Sequence, residues 1–235
     1  MRPRSDPTVS VIIPAYNCQA YIAEAIESAL HQTYAPTEVI VLDDASTDRT
    51  LEIARGFPTV RSVSQMHAGV AAARNRGVAL AQGSLLAFLD ADDRWPLYKL
   101  SRQVEALRHQ PDLDMVFGGV AQLRAGAEWD EAIAKTTSHT SPLVPGIIAG
   151  TMLIRREAFH RVGEFRTAWK VGEFIDWYAR ATDLGLRSLS LPEVLLWRRI
   201  HTTNLGIVAR ASVSDYAKVI KAHLDRRRAR GNDGS

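Results

Sequence analysis

Three carboxylates fall within four residues directly after an apolar segment. Asp90, Asp92 and Asp93 follow residues 84–89, a run long enough for a buried strand. Carboxylates held this close repel one another, so each takes up a proton or moves apart unless a positive charge lies among them. Hard oxygen ligands suit Mg²⁺ or Mn²⁺, especially where the ion also bridges to phosphate oxygens. The cluster predicts a divalent metal site; the alternative is a solvated turn in which Asp93 caps the next helix.

Two other polar turns follow predicted strands in the same way. Asp44 ends the turn after strand 39–42, and Tyr16 lies just after strand 9–13. An aromatic face beside a carboxylate acceptor suits a flat base that carries an N–H. The alternatives are helix capping for the aspartate and half-buried packing for Tyr16. Because the chain lacks a glycine-rich phosphate loop of either standard pattern, the metal is expected to bind the phosphates of a nucleoside diphosphate.

The elements that position these turns alternate between strand and helix. Alternation of this kind favours a mostly parallel sheet covered by helices on both faces, in which ligands bind beyond the carboxyl ends of the strands. Asn17 and Ser46 are expected to cap the first two helices. The predicted strands are 9–13, 39–42, 60–63, 84–89, 113–123, 150–155, 186–191 and 194–197; the predicted helices are 22–30, 51–54, 70–80, 97–107, 156–162 and 173–184, with a long loop at 124–145.

Composition and charge narrow the class of protein. The chain has 235 residues, 46% of them hydrophobic and 23% charged, which excludes wholesale disorder. One cysteine excludes an internal disulfide framework and a cysteine-based zinc site. The net charge is +3, and residues 214–235, with six basic and three acidic side chains, carry that surplus alone. The residues before 214 therefore have no net charge, which argues against nucleic acid as a partner. The tail is either a contact for an anionic membrane surface or a solvated helix end.

The motifs together resemble family 2 glycosyltransferases. Segments 9–17, 43–48, 73–77 and 88–93 match the family in order and spacing, and segment 150–165 resembles its acceptor side. The resemblance implies a GT-A fold, a nucleotide-sugar donor that is most often UDP-linked, and inverting transfer. We therefore expect an extension at 1–8, one transferase domain at 9–213 and a basic tail at 214–235. The domain would comprise a donor half at 9–120 and an acceptor half at 121–213.

The resemblance also implies roles for single residues. Asp92 would coordinate Mn²⁺ or Mg²⁺, and Asp90, with Ala91 beside it, would contact the ribose or the metal. Arg74 and Asn75 would approach the donor's phosphates or sugar, the alternative being a helix-surface arginine and a structural asparagine. The residues that would hold the base are Pro14, Ala15, Tyr16 and Asp44.

A late segment resembles the family's Arg-x-His sequence, which closes over the donor diphosphate. In it His201 would complete the metal shell or bind phosphate, with Arg199 alongside. A lone histidine is also compatible with a structural role. No apolar run is long enough to span a membrane, and the first residues lack the apolar core of a signal peptide. The expected location is therefore the cytoplasm, with contact at the inner membrane face through the tail as an option.

The general base departs from the family pattern. In the family this base is usually the aspartate of a Glu-Asp pair opening a helix, and here Phe174 occupies its position. Glu173 and Asp176 lie three residues apart and share one helix face, so either could accept the proton. We favour Asp176, because its side chain is short and Trp177 beside it could stack on an acceptor; the alternative is an ion pair with Arg180.

Two other functions stay open at this point. Phe174 is also compatible with a nucleotide-sugar-binding module whose catalysis is lost or altered. A nucleotidyltransferase would share the sheet and the carboxylates, although the missing glycine-rich loop counts against it. The acceptor, whether a glycan, a lipid-linked saccharide, a peptide or a small molecule, is not determined by the sequence.

Overall fold

The computed structural model describes residues 6–124, 146–169 and 171–201, together with Lys218, Lys221 and Asp225. The strands are β1 (Val9–Ala15), β2 (Glu38–Asp43), β3 (Val60–Ser64), β4 (Leu85–Phe88), β5 (Met115–Arg124), β6 (Leu153–Arg155) and β7 (Ser188–Ile200). The helices are α1 (Ile22–Leu30), α2 (Thr50–Arg55), α3 (Val70–Leu80), α4 (Lys99–His109), α5 (Arg156–Val162) and α6 (Glu173–Asp183). Most of the predicted loop at 124–145 and nearly all of the tail at 214–235 lie outside the described residues.

All seven strands form one mixed sheet in the order β3-β2-β1-β4-β6-β5-β7. The chain runs outward from β1 through β2 to β3, all parallel, and returns to β4 on the other side of β1. Only β6 runs against its neighbours, and β5 and β7 are parallel to each other. The carboxyl ends of β1, β2, β4 and β7 therefore meet at one edge, where a doubly wound sheet binds its ligands.

The two faces of the sheet bury separate clusters of apolar side chains. Along β1, Val11 and Ile13 pack with α1 and α4, whereas Ile12 faces α3, α5 and α6. This alternation follows from the two-residue period of a strand. The predicted α/β architecture, with a mostly parallel sheet between helices, is confirmed. Among the described residues, no helix has both the length and the hydropathy that a membrane crossing requires.

The predicted helix caps at Asn17 and Ser46 are wrong, because these two residues bind each other's loops. Asn17 has a left-handed backbone (φ 50°), its amide N–H donates to Ser46 Oγ at 3.0 Å, and its Oδ1 accepts from the Thr47 amide at 2.8 Å. α2 begins instead at Thr50, whose amide donates to Asp48 Oδ1 at 2.9 Å. The turns after β1 and β2 are thus braced side by side at the carboxyl edge.

The two short strands predicted at 186–191 and 194–197 form one strand, β7. Its pairing with β5 shifts register between Phe117 and Val120, so that Phe117 pairs with Ser190 and Gly119 with Val194. The extra residues on β7 include Pro192, which has no amide hydrogen to give to the ladder. The irregularity lets the strand continue past the proline and carry its last residues to the carboxyl edge.

Close packing of α3 on the sheet depends on Gly77. A Cβ at this position would lie 2.4 Å from Ile12 Cγ2 and 3.1 Å from Leu42 Cδ2. The first of these separations is shorter than any real contact, and both partners are fully buried. The missing side chain lets the helix lie directly on β1 and β2, which sets the depth at which Arg74, one turn earlier, enters the carboxyl edge.

Gly77→Ala should destabilise the protein by about 1–2 kcal/mol. Overpacking of a filled core costs about 1–3 kcal/mol, and the better helix propensity of alanine returns up to about 1 kcal/mol. The measurement is the midpoint of chemical denaturation. Arg76→Ala, an exposed change on the same helix, is the control and should stay within about 0.5 kcal/mol of wild type. A Gly77→Ala protein as stable as wild type would contradict the packing described.

Candidate active site

The acidic loop after β4 holds its three carboxylates at different depths. The side chain of Asp90 is 41% exposed, that of Asp92 is 21% exposed, and Asp93 is buried, as is Ala91 between them. Burial raises the pKa of Asp92, and the charge of Asp90 raises it further, against a lowering by the bond to His201. Burial also holds the pKa of Asp93 well above its usual range, with the charges of Asp92 and Asp90 adding to it. The loop therefore concentrates negative charge that a cation would relieve.

His201 reaches this loop from the end of β7. Its Nε2 lies 2.9 Å from Asp92 Oδ2, and its ring centroid lies 4.9 Å from that of Tyr21. A carboxylate oxygen and an imidazole nitrogen are ligands that Mn²⁺ accepts, and Asp90 presents a further carboxylate. Over the described ranges, no group of three or more such side chains converges on one point. The residues present thus fit part of a coordination shell.

Arg199 fastens β7 to this loop and to α1. Its amide donates to Asp93 Oδ1 at 2.9 Å, its Nε to the carbonyl oxygen of Asp92 at 3.1 Å, and its Nη2 to Glu24 Oε2 at 2.7 Å. The guanidinium also packs 4.5 Å from the Tyr21 ring centroid. The side chain of Arg199 is buried and bonded within the protein, and its expected contact with the donor stays a prediction.

Asp44 organises the loop between β3 and α3. Its Oδ1 accepts hydrogen bonds from Gln65 Nε2 at 2.7 Å and from the Ala68 amide at 2.9 Å, and its Oδ2 accepts from the Gly69 amide at 2.8 Å. His67 Nδ1 lies 2.9 Å from the same Oδ2. The carboxylate is buried at the carboxyl edge, where the sequence predicts it, and it also holds residues 65–69 in place.

An aromatic surface stands beside this carboxylate. Tyr16 is 47% exposed, and its ring centroid lies 4.5 Å from that of His67, with the planes inclined by 37°. Pro14 and Ala15 are buried in β1, where the Ala15 carbonyl accepts from the Asp44 amide at 2.8 Å. His67 was missed by the sequence analysis, and the signal was its place directly after the third strand, at the same edge.

Arg74 joins the acidic loop to α6. The side chain comes from α3 and is only 4% exposed. Its Nη2 donates to Asp90 Oδ1 at 2.6 Å and its Nη1 to Glu173 Oε1 at 2.5 Å. Burial by itself lowers the pKa of the guanidinium, but the charges of Asp90 and Glu173 outweigh it and raise the pKa above its usual range. The alternative of a surface arginine does not fit this burial, and the expected contact of Arg74 with the donor stays a prediction.

Asn75 has a structural role. Its Nδ2 donates to the Phe165 carbonyl at 2.8 Å, and its Oδ1 accepts from the Phe165 amide at 2.9 Å. Both ends of the side-chain amide are therefore used by one backbone residue. These bonds favour the alternative of a structural asparagine, and the expected donor contact stays a prediction.

The two candidate bases on α6 have different environments. Asp176 has no exposed side-chain surface and is paired with Arg180 Nε at 3.1 Å and Arg166 Nη1 at 3.3 Å. Glu173 is bonded to Arg74 and is 11% exposed. Asp176, which the sequence favours as the base, therefore lies in an enclosed ion-pair cluster, and its catalytic role stays a prediction. The predicted pair with Arg180 is present, in the interior rather than on the surface.

Phe174 lies in an aromatic cluster beside Glu173. Its ring centroid lies 6.3 Å from that of Phe117, 6.2 Å from that of Tyr178 and 6.4 Å from that of Trp177. The Phe174 ring is buried. The position at which the family usually has its base is therefore occupied here by an apolar side chain that packs in the interior. Glu173, next to it on the helix, is linked through Arg74 to Asp90 of the acidic loop.

The sequence profile described as glycosyl transferase family 2 matches residues 10–163. The chain belongs to this family. One family relative, the putative teichuronic acid biosynthesis glycosyltransferase TuaG of Bacillus subtilis, is 39% identical over 159 residues, 64% of this chain and 63% of TuaG. The glucosyltransferase WfaP of Escherichia coli is 43% identical over 99 residues, 41% of this chain and 39% of WfaP. The chain therefore spans less than two thirds of the length of either relative.

Two solved structures share the fold. TarS of S. aureus, in complex with UDP-GlcNAc, aligns with a TM-score of 0.74 at 22% identity over 92% of this chain and 65% of that chain. The mannosyltransferase PcManGT of Pyrobaculum calidifontis, in complex with GDP-Man and Mn²⁺, aligns with a TM-score of 0.66 at 24% identity, over 93% of this chain and 66% of that chain. The GT-A fold implied by the sequence motifs is confirmed.

Asn75→Ala should lower the free energy of unfolding by about 2–4 kcal/mol, because it leaves both backbone groups of Phe165 buried without a partner at about 1–3 kcal/mol each. Chemical denaturation measures this loss, and calorimetric titration with UDP should show an affinity within about threefold of wild type. Gln122→Ala removes an exposed amide and is the control. Unchanged stability with weakened UDP binding would contradict the structural role.

Proposed function

We propose that this protein transfers a sugar from a nucleotide-diphosphate sugar, UDP-linked, to an acceptor hydroxyl, with inversion at the anomeric carbon. One observation carries the proposal. At the carboxyl edge of the sheet, the aromatic face of Tyr16, the acidic loop and Glu173 lie together, and the contact Asp90–Arg74–Glu173 links the last two. The name of WfaP, a UDP-Glc-dependent glucosyltransferase, supports a UDP-linked donor, as does the UDP-GlcNAc held by TarS.

The donor nucleotide would lie across the ends of β1, β2 and β4. Its base would stack on Tyr16, within reach of the Asp44 carboxylate, and its ribose would approach the exposed oxygen of Asp90. Asp92 and His201 would hold Mn²⁺ or Mg²⁺ together with oxygens of the diphosphate. When bound, the ion would stabilise the negative charge of the departing diphosphate. The Mn²⁺ in the PcManGT complex supports a metal of this kind.

Glu173 is the general base in this proposal. The acceptor oxygen attacks the anomeric carbon while the bond between that carbon and the diphosphate oxygen breaks, and its electron pair leaves with the nucleoside diphosphate. The hydroxyl proton passes to the Glu173 carboxylate. Glu173 is suited to this because it faces the acidic loop through Arg74, whereas Asp176 is enclosed by arginines.

Phe174 favours a second candidate, a nucleotide-sugar-binding module without turnover. The aromatic cluster fills the family's base position with a side chain that accepts no proton. Binding of UDP with neither transfer nor slow donor hydrolysis, across many acceptors, would support this candidate over the enzyme.

The acceptor we propose is a lipid-linked saccharide. The name of WfaP specifies a GlcNAc-diphosphoundecaprenol acceptor, and this relative matches 41% of the chain. Transfer to such an acceptor, compared with transfer to the free saccharide, distinguishes this class from soluble glycans.

Asp92→Asn and His201→Gln should each weaken Mn²⁺-dependent UDP binding by about tenfold or more, since the loss of a metal ligand or its close partner costs at least this much. Calorimetric titration of UDP with and without Mn²⁺ measures the effect. Asp112→Asn removes an exposed carboxylate paired with Arg187 and should bind like wild type. Equal Mn²⁺ dependence in all four proteins would show that the metal lies elsewhere.

Glu173→Gln should lower kcat for transfer by about 10²–10⁴-fold, the usual contribution of a general base, with UDP affinity little changed. Asp176→Asn should act on folding instead, because it weakens a buried cluster with two arginines. Steady-state kinetics and thermal unfolding of both variants test the assignment. If Asp176→Asn abolished turnover at wild-type stability while Glu173→Gln stayed active, Asp176 would be the base.

A further inference from the structure

Arg74 stands between carboxylates from the two ends of the transferase domain. Asp90 belongs to the loop after β4, and Glu173 opens α6, 99 residues after Arg74. The guanidinium gives one terminal nitrogen to each, at 2.6 and 2.5 Å, and lies 5.8 Å from the Phe165 ring centroid. A single planar cation thus fixes the separation of the donor-side and acceptor-side carboxylates.

Each terminal nitrogen of Arg74 gives one of its two N–H groups to a carboxylate. The side chain is 4% exposed, and its Nε is buried with no hydrogen-bond partner among the described residues. Because the guanidinium is buried between the two carboxylates, a donor phosphate would reach its other N–H groups only if neighbouring side chains moved. By contrast, each carboxylate bonds to Arg74 through a single oxygen, and the Asp90 side chain is 41% exposed. The carboxylates are therefore the groups that can meet ligands, and Arg74 orients them.

The contact with Arg74 also restricts the long side chain of Glu173. A glutamate that is free to rotate loses conformational entropy when it is fixed for catalysis, and a shift of about 1 Å at a reacting group can cost about 10²-fold in rate. Arg74 holds Glu173 before any ligand arrives. Gly77 supports this by setting how deeply α3 lies on the sheet.

We propose that Arg74 is a positioning residue for sugar transfer, which holds the Glu173 carboxylate in register with Asp90 and so couples the acceptor-side base to the donor site. The proposal depends on the proposed function, in which Glu173 receives the acceptor proton. It separates Arg74 from the donor-binding residues: its loss should reduce turnover and leave nucleotide binding nearly intact.

The test measures kcat, donor KM and UDP affinity in the presence of Mn²⁺ for five proteins beside wild type. They are Arg74→Lys, Arg74→Met, Glu173→Gln, the double variant Arg74→Met with Glu173→Gln, and the control Arg76→Met. Arg76 is exposed on the same helix and bonds only to the Ser64 carbonyl among described partners, so its loss should change none of these values. Arg74→Met leaves two carboxylates without their cation and could fail to fold. Arg74→Lys keeps the positive charge, so the test can then be made with this variant.

We expect Arg74→Lys and Arg74→Met to lower kcat by about 10–100-fold with UDP affinity within about threefold. Lysine should be the milder change because it keeps the positive charge, but it still lowers kcat because it cannot bond both carboxylates in one plane. The double variant should be no slower than Glu173→Gln alone, as for residues that act as a unit.

If UDP affinity fell in step with kcat/KM, or if the two losses multiplied, the positioning role would be overturned while the transferase function stood. A wild-type protein that binds UDP but turns over no UDP-sugar would refute the proposed function, and this inference with it.

Discussion

A buried cation shared by two carboxylates is the constraint on which the site depends. Removing Arg74 from water is costly, and the charges of Asp90 and Glu173 offset that cost only while both are in place. The acidic loop and the start of α6 must therefore come together around the arginine. The loop after β4 and the start of α6, which are far apart in the sequence, are thus joined through one buried arginine.

A second connection closes the other side of the acidic loop. Arg199 ties the end of β7 to the loop and to Glu24 on α1, which places His201 against Asp92. The irregular pairing of β7 with β5 makes this possible, since the strand passes Pro192 and still reaches the carboxyl edge. Arg74 and Arg199 thus hold the acidic loop from two sides, and in the proposed function its carboxylates bind the metal and the nucleotide.

The sheet and the place of the site were predictable from local patterns. Short β-branched runs alternate with helical segments, and each run ends in polar residues, so the carboxyl edge follows from the two periodicities alone. The acidic loop, Tyr16 and Asp44 could therefore be located before any contact was known. The motifs added the family, which the sequence profile shows over residues 10–163.

Apart from the pair of Asp176 with Arg180, the side-chain partners could not be predicted, because they depend on tertiary contacts. Glu173 and Asp176 share one helix face, and only the packing of Arg166 and Arg180 shows that Asp176 is enclosed. Asn75 and Arg74 are adjacent in sequence, yet one bonds to the backbone of Phe165 and the other to two carboxylates. Residue type and spacing suggested polar roles for both, and burial decided which roles they have.

The most direct measurement is a crystal structure of the protein with UDP and Mn²⁺. Arg74 should keep its bonds to Asp90 and Glu173, the metal should lie at Asp92 and His201, and Glu173 should face the position of the transferred sugar. An Arg74 side chain turned onto the diphosphate, with Glu173 released from it, would contradict the account.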